Sequence, residues 1–137
     1  MGDSCRVVAV LGTRPEAIKL APVIRALRSG SSALETSVVV TGQHRQMLDQ
    51  VLTRFCIRPD ADLDVMRPNQ RLGELTGRIL NSLEAILSGL RPDLLMVQGD
   101  TTTAFVTTMA GFYHQIPVAH VEAGLRSYDL KNPFPEE

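Results

Sequence analysis

The chain has 137 residues, 44% of them hydrophobic and 21% charged, enough apolar material for one sizeable core and a prediction of one domain. Its 14 basic and 15 acidic residues leave a formal charge of −1, which excludes a general field for capturing nucleic acid or anionic lipid, so any phosphate recognition must be local. The first apolar run, Val7 to Leu11, is too short for a signal-peptide core or for the ~20 residues of a membrane span, and no other stretch is membrane-directed.

Five short β-branched or aliphatic runs follow one another along the chain: Arg6–Leu11, Thr36–Val40, a weak one near Asp62–Val65, Leu94–Gln98 and Pro117–Val121. Their starts lie roughly 25–30 residues apart with amphipathic stretches between them, the rhythm of βα units and a parallel sheet. The strong runs are nearly continuous in apolar residues, as expected of strands covered by helices on both faces, which predicts a doubly wound α/β fold. Between the third and fourth runs, Leu72, Leu75, Ile79, Leu83, Ile86, Leu87 and Leu90 keep helical spacing while Arg71, Glu74, Arg78 and Glu84 take the other face. Arg28-Ser29-Gly30-Ser31-Ser32 reads as a helix-terminating loop. Cys5 and Cys56 stand beside apolar residues in no metal-ligand spacing, so buried, reduced thiols and a cytoplasmic location are expected. At the far end, Pro135-Glu136-Glu137 has the composition of a helix's first turn, which predicts that the sequence is part of a larger protein.

In a doubly wound sheet, ligands bind outside the carboxyl ends of the strands. Four of the five predicted strands end in a polar, glycine-bearing segment: Gly12-Thr13-Arg14-Pro15-Glu16, Thr41-Gly42-Gln43-His44-Arg45, Gly99-Asp100-Thr101-Thr102-Thr103 and Glu122-Ala123-Gly124-Leu125-Arg126. A purely structural sheet has no need to gather charged groups on one edge.

Each group also admits a structural role. Thr13-x-x-Glu16 is a capping box, the preferred reading for Glu16, with Pro15 suited to the first turn. Arg14 sits badly at the positive end of a helix dipole and calls for an anion such as phosphate. Two readings stand for Lys19, a helix-face partner of Glu16 or a site residue. Asp100 is favoured as the N-cap of the helix that begins with the threonines. Glu122 fits neither a cap nor a solvated helix face. His120, inside a strand, reads as a core histidine with a satisfied ring, and His114 as a solvent-facing residue at a helix end.

The first strand is followed by G-T-R-P rather than G-x-G-x-x-G, and the second ends in Thr41-Gly42-Gln43 with no ribose-holding acid, so no dinucleotide fingerprint exists. There is no P-loop, and the histidines and cysteines offer no zinc spacing.

GTRPEAIKLAP (12–22), TGQHRQMLDQV (41–51), QGDTTTA (98–104) and HVEAGLRSYDLKNPFPEE (120–137), in this order, resemble the motifs of the bacterial non-hydrolysing UDP-N-acetylglucosamine 2-epimerases. The resemblance covers the chain after a short N-terminal extension. It implies a Rossmann-like domain, residues 1–137, as the incomplete N-terminal half of a GT-B-like enzyme whose second, nucleotide-binding domain lies beyond Glu137, and a homodimeric whole. It also implies the reaction: removal of the C2 proton and elimination of UDP to give 2-acetamidoglucal, then re-addition with inversion, linking UDP-GlcNAc and UDP-ManNAc without a redox cofactor. By motif position Asp100, Glu122 and Glu136 resemble the catalytic carboxylates. Arg14 and Lys19, together with Asp100 and Glu122, resemble the substrate contacts, and no metal is implied. Such chemistry needs carboxylates able to exchange a proton with a weakly acidic carbon and cations near a diphosphate leaving group. Gln43, His44 and Gln70 resemble part of a pocket where family members bind substrate as an activator, with Asn69 standing where some regulated members have arginine. The resemblance implies that residues 1–137 alone are inactive, because the remaining nucleotide contacts lie outside them. A fragment of another GT-B nucleotide-sugar enzyme, a hydrolysing relative and a non-enzymatic truncation product are the rival readings.

Overall fold

Alternation along the central strands decides which helices cover which face of the sheet. In β1 (Cys5–Leu11), Val7, Ala9 and Leu11 join one apolar cluster while Val8 and Val10 join another. The first cluster is completed by α1 (Arg14–Gly30) and α2 (Arg45–Arg54), through Leu20, Ile24, Leu48 and Leu52. The second is completed by α3 (Leu72–Leu90) and α4 (Thr102–Tyr113), through Leu75, Ile79, Leu83, Val106 and Ala110. The remaining strands are β2 (Leu34–Val40), β3 (Ala61–Asp62), β4 (Leu94–Gln98) and β5 (Val118–Val121). The computed structural model describes residues 4–43 and 45–137, so His44 of the expected activator pocket lies outside the described residues.

All paired strands are parallel, in the order β3-β2-β1-β4-β5. With two helices on each face, this is a Rossmann-like doubly wound sheet, as the strand rhythm predicts. The order reverses between β1 and β4, so the segments after Leu11 and Gln98 flank the crevice where such sheets place their ligands. Among the described residues no helix is long and apolar enough to cross a membrane.

Local chemistry explains the departures from expectation. The third strand is only two residues long, because Asp64 adopts a left-handed backbone (φ 46°) that ends the ladder. Pro117 stands outside β5, contributing only its carbonyl to Leu95 N–H. The α1 helix continues through Gly30, with the Ser29 hydroxyl donating to the Arg25 carbonyl one turn back, so the expected terminating loop starts only at Ser31. Both cysteines are free, as expected, but exposed rather than buried. Cys5 opens β1 at the rim of the sheet, and Cys56 sits in a turn with φ 56°. Residues 134–136 form a turn in which the Glu137 N–H donates to the Pro133 carbonyl four residues back, and the Glu137 carboxylate accepts from the N–H groups of Ser127 and Tyr128. Leu72, placed on the apolar face by its spacing, is 43% exposed because α3 begins there, above the edge of the sheet.

Candidate functional site

The carboxyl edge of the sheet carries two side-chain groups, one on each face. On the α4 side a cavity of about 460 Å³ is lined by Asp100, Thr101, Thr102, His120, Arg126 and Glu136, among others. Asp100 and Glu136, two of the three carboxylates expected to act together, therefore share one cavity, although 36 positions separate them in the sequence numbering (136 − 100). On the α1 side, Lys19 Nζ lies 2.6 Å and 2.5 Å from the two carboxylate oxygens of Glu122. Gln98 Nε2 donates to the same carboxylate at 3.2 Å. Of the two readings of Lys19, the helix-face pair with Glu16 is thus not the one realised.

Glu122 follows β5 directly and has φ 55°. A non-glycine residue in the left-handed region costs on the order of 1 kcal/mol, and such backbone outliers concentrate at functional sites. The Lys19 ammonium, through its hydrogen bond first, holds Glu122 below the usual carboxylate range; partial desolvation opposes it, and Gln98 adds to the lowering. A carboxylate so held is ionised at neutral pH. Because its folded pKa lies below the ordinary value, the associated stability is present above the unfolded pKa and is lost as pH falls through the folded one. Replacing Lys19 by methionine in the full-length protein should move the Glu122 pKa upward. The acid limb of the kcat/KM profile should shift to higher pH if Glu122 sets it, and an unmoved limb would show that it does not.

Arg14 is exposed at the first position of α1, where the helix dipole favours an anion beside it. Asp100 is not the N-cap expected from the sequence. Thr101 takes that role, accepting from the Ala104 N–H at 3.1 Å, and the exposed Asp100 side chain makes no hydrogen bond among the described residues. Gly99, with φ 72°, turns the chain sharply out of β4 to present these residues. Within the described residues His120 is exposed, and its ring meets the Gly99 carbonyl at 2.5 Å beside the cavity. His114, expected to face solvent, is half-buried, with Nε2 2.9 Å from Glu84 Oε2 at the opposite end of the sheet.

The capping role of Glu16 is realised, and more. Its side chain is fully buried; Oε2 accepts from Gly12 N–H at 3.0 Å, Thr13 N–H at 2.5 Å and the Thr13 hydroxyl at 2.7 Å. Oε1 accepts from the Thr101 hydroxyl at 2.7 Å. Burial, the largest influence, raises the Glu16 pKa above its ordinary value, while these donors pull it down. The sequence carried no signal for the contact to Thr101, because three consecutive threonines are equally fit to cap. Beneath the site, Thr103 donates to Gln43 Oε1 at 3.3 Å and lies 3.3 Å from the Thr41 hydroxyl. Gln70 bonds elsewhere, through Nε2 to Met66 Sδ at 3.1 Å.

Comparison with known proteins gives concordant matches. The UDP-N-acetylglucosamine 2-epimerase of Yersinia pestis is 58% identical over 132 residues, 96% of this chain and 35% of that protein. Its counterpart in Escherichia coli K12 is 55% identical over the same shares. The crystal structure of UDP-GlcNAc 2-epimerase from Neisseria meningitidis bound to UDP-GlcNAc matches with a TM-score of 0.90 at 52% identity, over 96% of this chain and 36% of that one. The Methanocaldococcus jannaschii UDP-GlcNAc 2-epimerase in complex with UDP-GlcNAc and UDP matches with a TM-score of 0.85 at 36% identity, over 92% and 34%. The chain thus spans 35% of the length of the curated relatives it matches. Residues 25–137 match the family described as UDP-N-acetylglucosamine 2-epimerase, and the chain belongs to that family.

Proposed function

We propose that the protein to which this segment belongs is a non-hydrolysing UDP-N-acetylglucosamine 2-epimerase. The observation that carries the reading is the meeting of Asp100 and Glu136 in one cavity at the carboxyl edge, with an ionised Glu122 held by Lys19 on the other face of the same edge. Epimerisation at C2 requires a base for the C2 proton and an acid able to return one from the opposite face, so carboxylates approaching from different directions suit it. As the C2–H bond breaks, the electron pair forms the C1–C2 double bond and the C1–O bond to UDP breaks, giving 2-acetamidoglucal; re-addition reverses these steps with inverted configuration. Arg14 and Lys19 stabilise the diphosphate as its charge develops. Lys19 leaving Glu122 for that charge would free the carboxylate to take a proton.

The same reading includes a second domain beyond Glu137 that closes a GT-B-like cleft and supplies the remaining nucleotide contacts, a homodimeric assembly and a cytoplasmic location. It extends to an activating substrate pocket at Gln43, His44 and Gln70. The test is direct. Full-length protein incubated with UDP-GlcNAc in deuterated water should produce UDP-ManNAc with deuterium at C2, followed by NMR; products lacking C2 deuterium would exclude the mechanism. Residues 1–137 alone should convert nothing and bind UDP-GlcNAc no tighter than about millimolar by calorimetry, because each cation here acts through water at on the order of 1 kcal/mol. Micromolar binding would show that the nucleotide contacts lie within this segment.

A further inference from the structure

Glu16 lies between the two side-chain groups without lining the cavity. Its two oxygens face different loops: Oε2 takes three donors from Gly12 and Thr13, in the segment that delivers Arg14, while Oε1 takes the hydroxyl of Thr101, the neighbour of Asp100. A cap needs only the first of these. The second spans 85 residues of sequence and joins the N-termini of α1 and α4 across the point where the strand order reverses. The Thr101 hydroxyl is also fully engaged, accepting from Ala104 N–H while donating to Glu16, so the Asp100 loop is tied both to its own helix and to the Arg14 loop.

We propose that Glu16 is a positioning residue of the reaction: through Thr101 it fixes the loop bearing Asp100 against the loop bearing Arg14, and so sets where the carboxylate meets the sugar. This rests on the epimerase reading above. The arrangement is well suited to the task because a fully buried carboxylate with four donors cannot reorient without leaving buried polar groups unpaired. A small displacement of a proton-transfer group is costly in rate even when folding is intact.

Four variants of the full-length protein test this. Glu16→Asp keeps the charge and can still serve the first turn of α1, but it is one methylene too short to reach Thr101. Thr101→Ala removes the other half of the link. Glu16→Gln keeps the span, its amide meeting the Thr101 oxygen, and removes a buried charge whose burial already raises its pKa, so it should fold at neutral pH. Assayed below the melting temperature of each variant, Glu16→Asp and Thr101→Ala should each lower kcat about tenfold or more, with KM for UDP-GlcNAc changed less than about threefold. C2 hydrogen exchange should fall in parallel. The double variant should be no more than about twofold slower than the worse single one, because both changes break the same link. Glu16→Gln should stay within about threefold of the parent. Unchanged kcat in both single variants, or a double variant showing the full product of the two losses, would overturn the proposal. Asp100→Asn assayed alongside separates the two readings: if it too retains turnover, the assignment of the site has failed, whereas if it alone is inactive, only the role of Glu16 has.

Discussion

Asp100→Asn in the full-length protein should lower turnover by about 10²-fold or more, equivalent to ~2.7 kcal/mol of transition-state stabilisation, with little change in melting temperature. The separation of the two effects follows from the cap. Thr101 caps α4, so Asp100→Asn removes no capping hydrogen bond, and Asp100 is exposed in the cavity with Glu136. Glu136→Gln is expected to act on the same scale, as is Glu122→Gln, whose exposed ion pair to Lys19 adds little to stability. The check is the rate of deuterium entry at C2 from solvent, which reads proton transfer even when net conversion is slow. Wild-type exchange in all three variants would dismiss these carboxylates from the chemistry.

Much of this was legible in the sequence because it depends on local pattern. Continuous apolar strands at regular spacing and an amphipathic helix over residues 72–90 suffice for a doubly wound sheet, and the polar loops at the strand ends mark the edge that carries the candidate site. What pattern cannot supply is competition between near-equivalent residues. Asp100, Thr101 and Thr102 are all able to cap a helix, and the choice falls to Thr101 because its hydroxyl can also donate to Glu16, a partner 85 positions away. His120 reads as a core residue because its neighbours are apolar, yet within the described residues its ring lies exposed against the Gly99 carbonyl. Lys19 had a partner at helical spacing in Glu16, but that carboxylate is buried and saturated by other donors, and the exposed lysine finds Glu122 instead. Long-range contacts of this kind shape the candidate site and leave no periodicity behind.

Gly12→Ala should be the most damaging single methyl group that can be added near the site. The requirement is space rather than backbone conformation: a Cβ at Gly12 would lie 2.1 Å from Thr103 Oγ1, 2.9 Å from Thr103 Cβ and 3.0 Å from Thr41 Oγ1. Neither threonine can move aside freely, since Thr103 and Thr41 are fully buried and their hydroxyls stand 3.3 Å apart. Relief must come from displacing α4 relative to β1, a strain of roughly 1–3 kcal/mol by the usual cost of overpacking. The same displacement would pull Thr101 from Glu16, so kcat should fall along with the melting temperature. Thr103→Ala offers the decisive second measurement. Alone it loses its hydroxyl contacts, but in combination with Gly12→Ala it deletes the 2.1 Å clash while leaving the one to Cβ, so the double variant should be more stable than the sum of the single losses predicts. Strictly additive losses would mean that the glycine is needed for some reason other than the approach of α4, and the close packing of the β1 loop against Thr103 would then not be what holds the two halves of the site together.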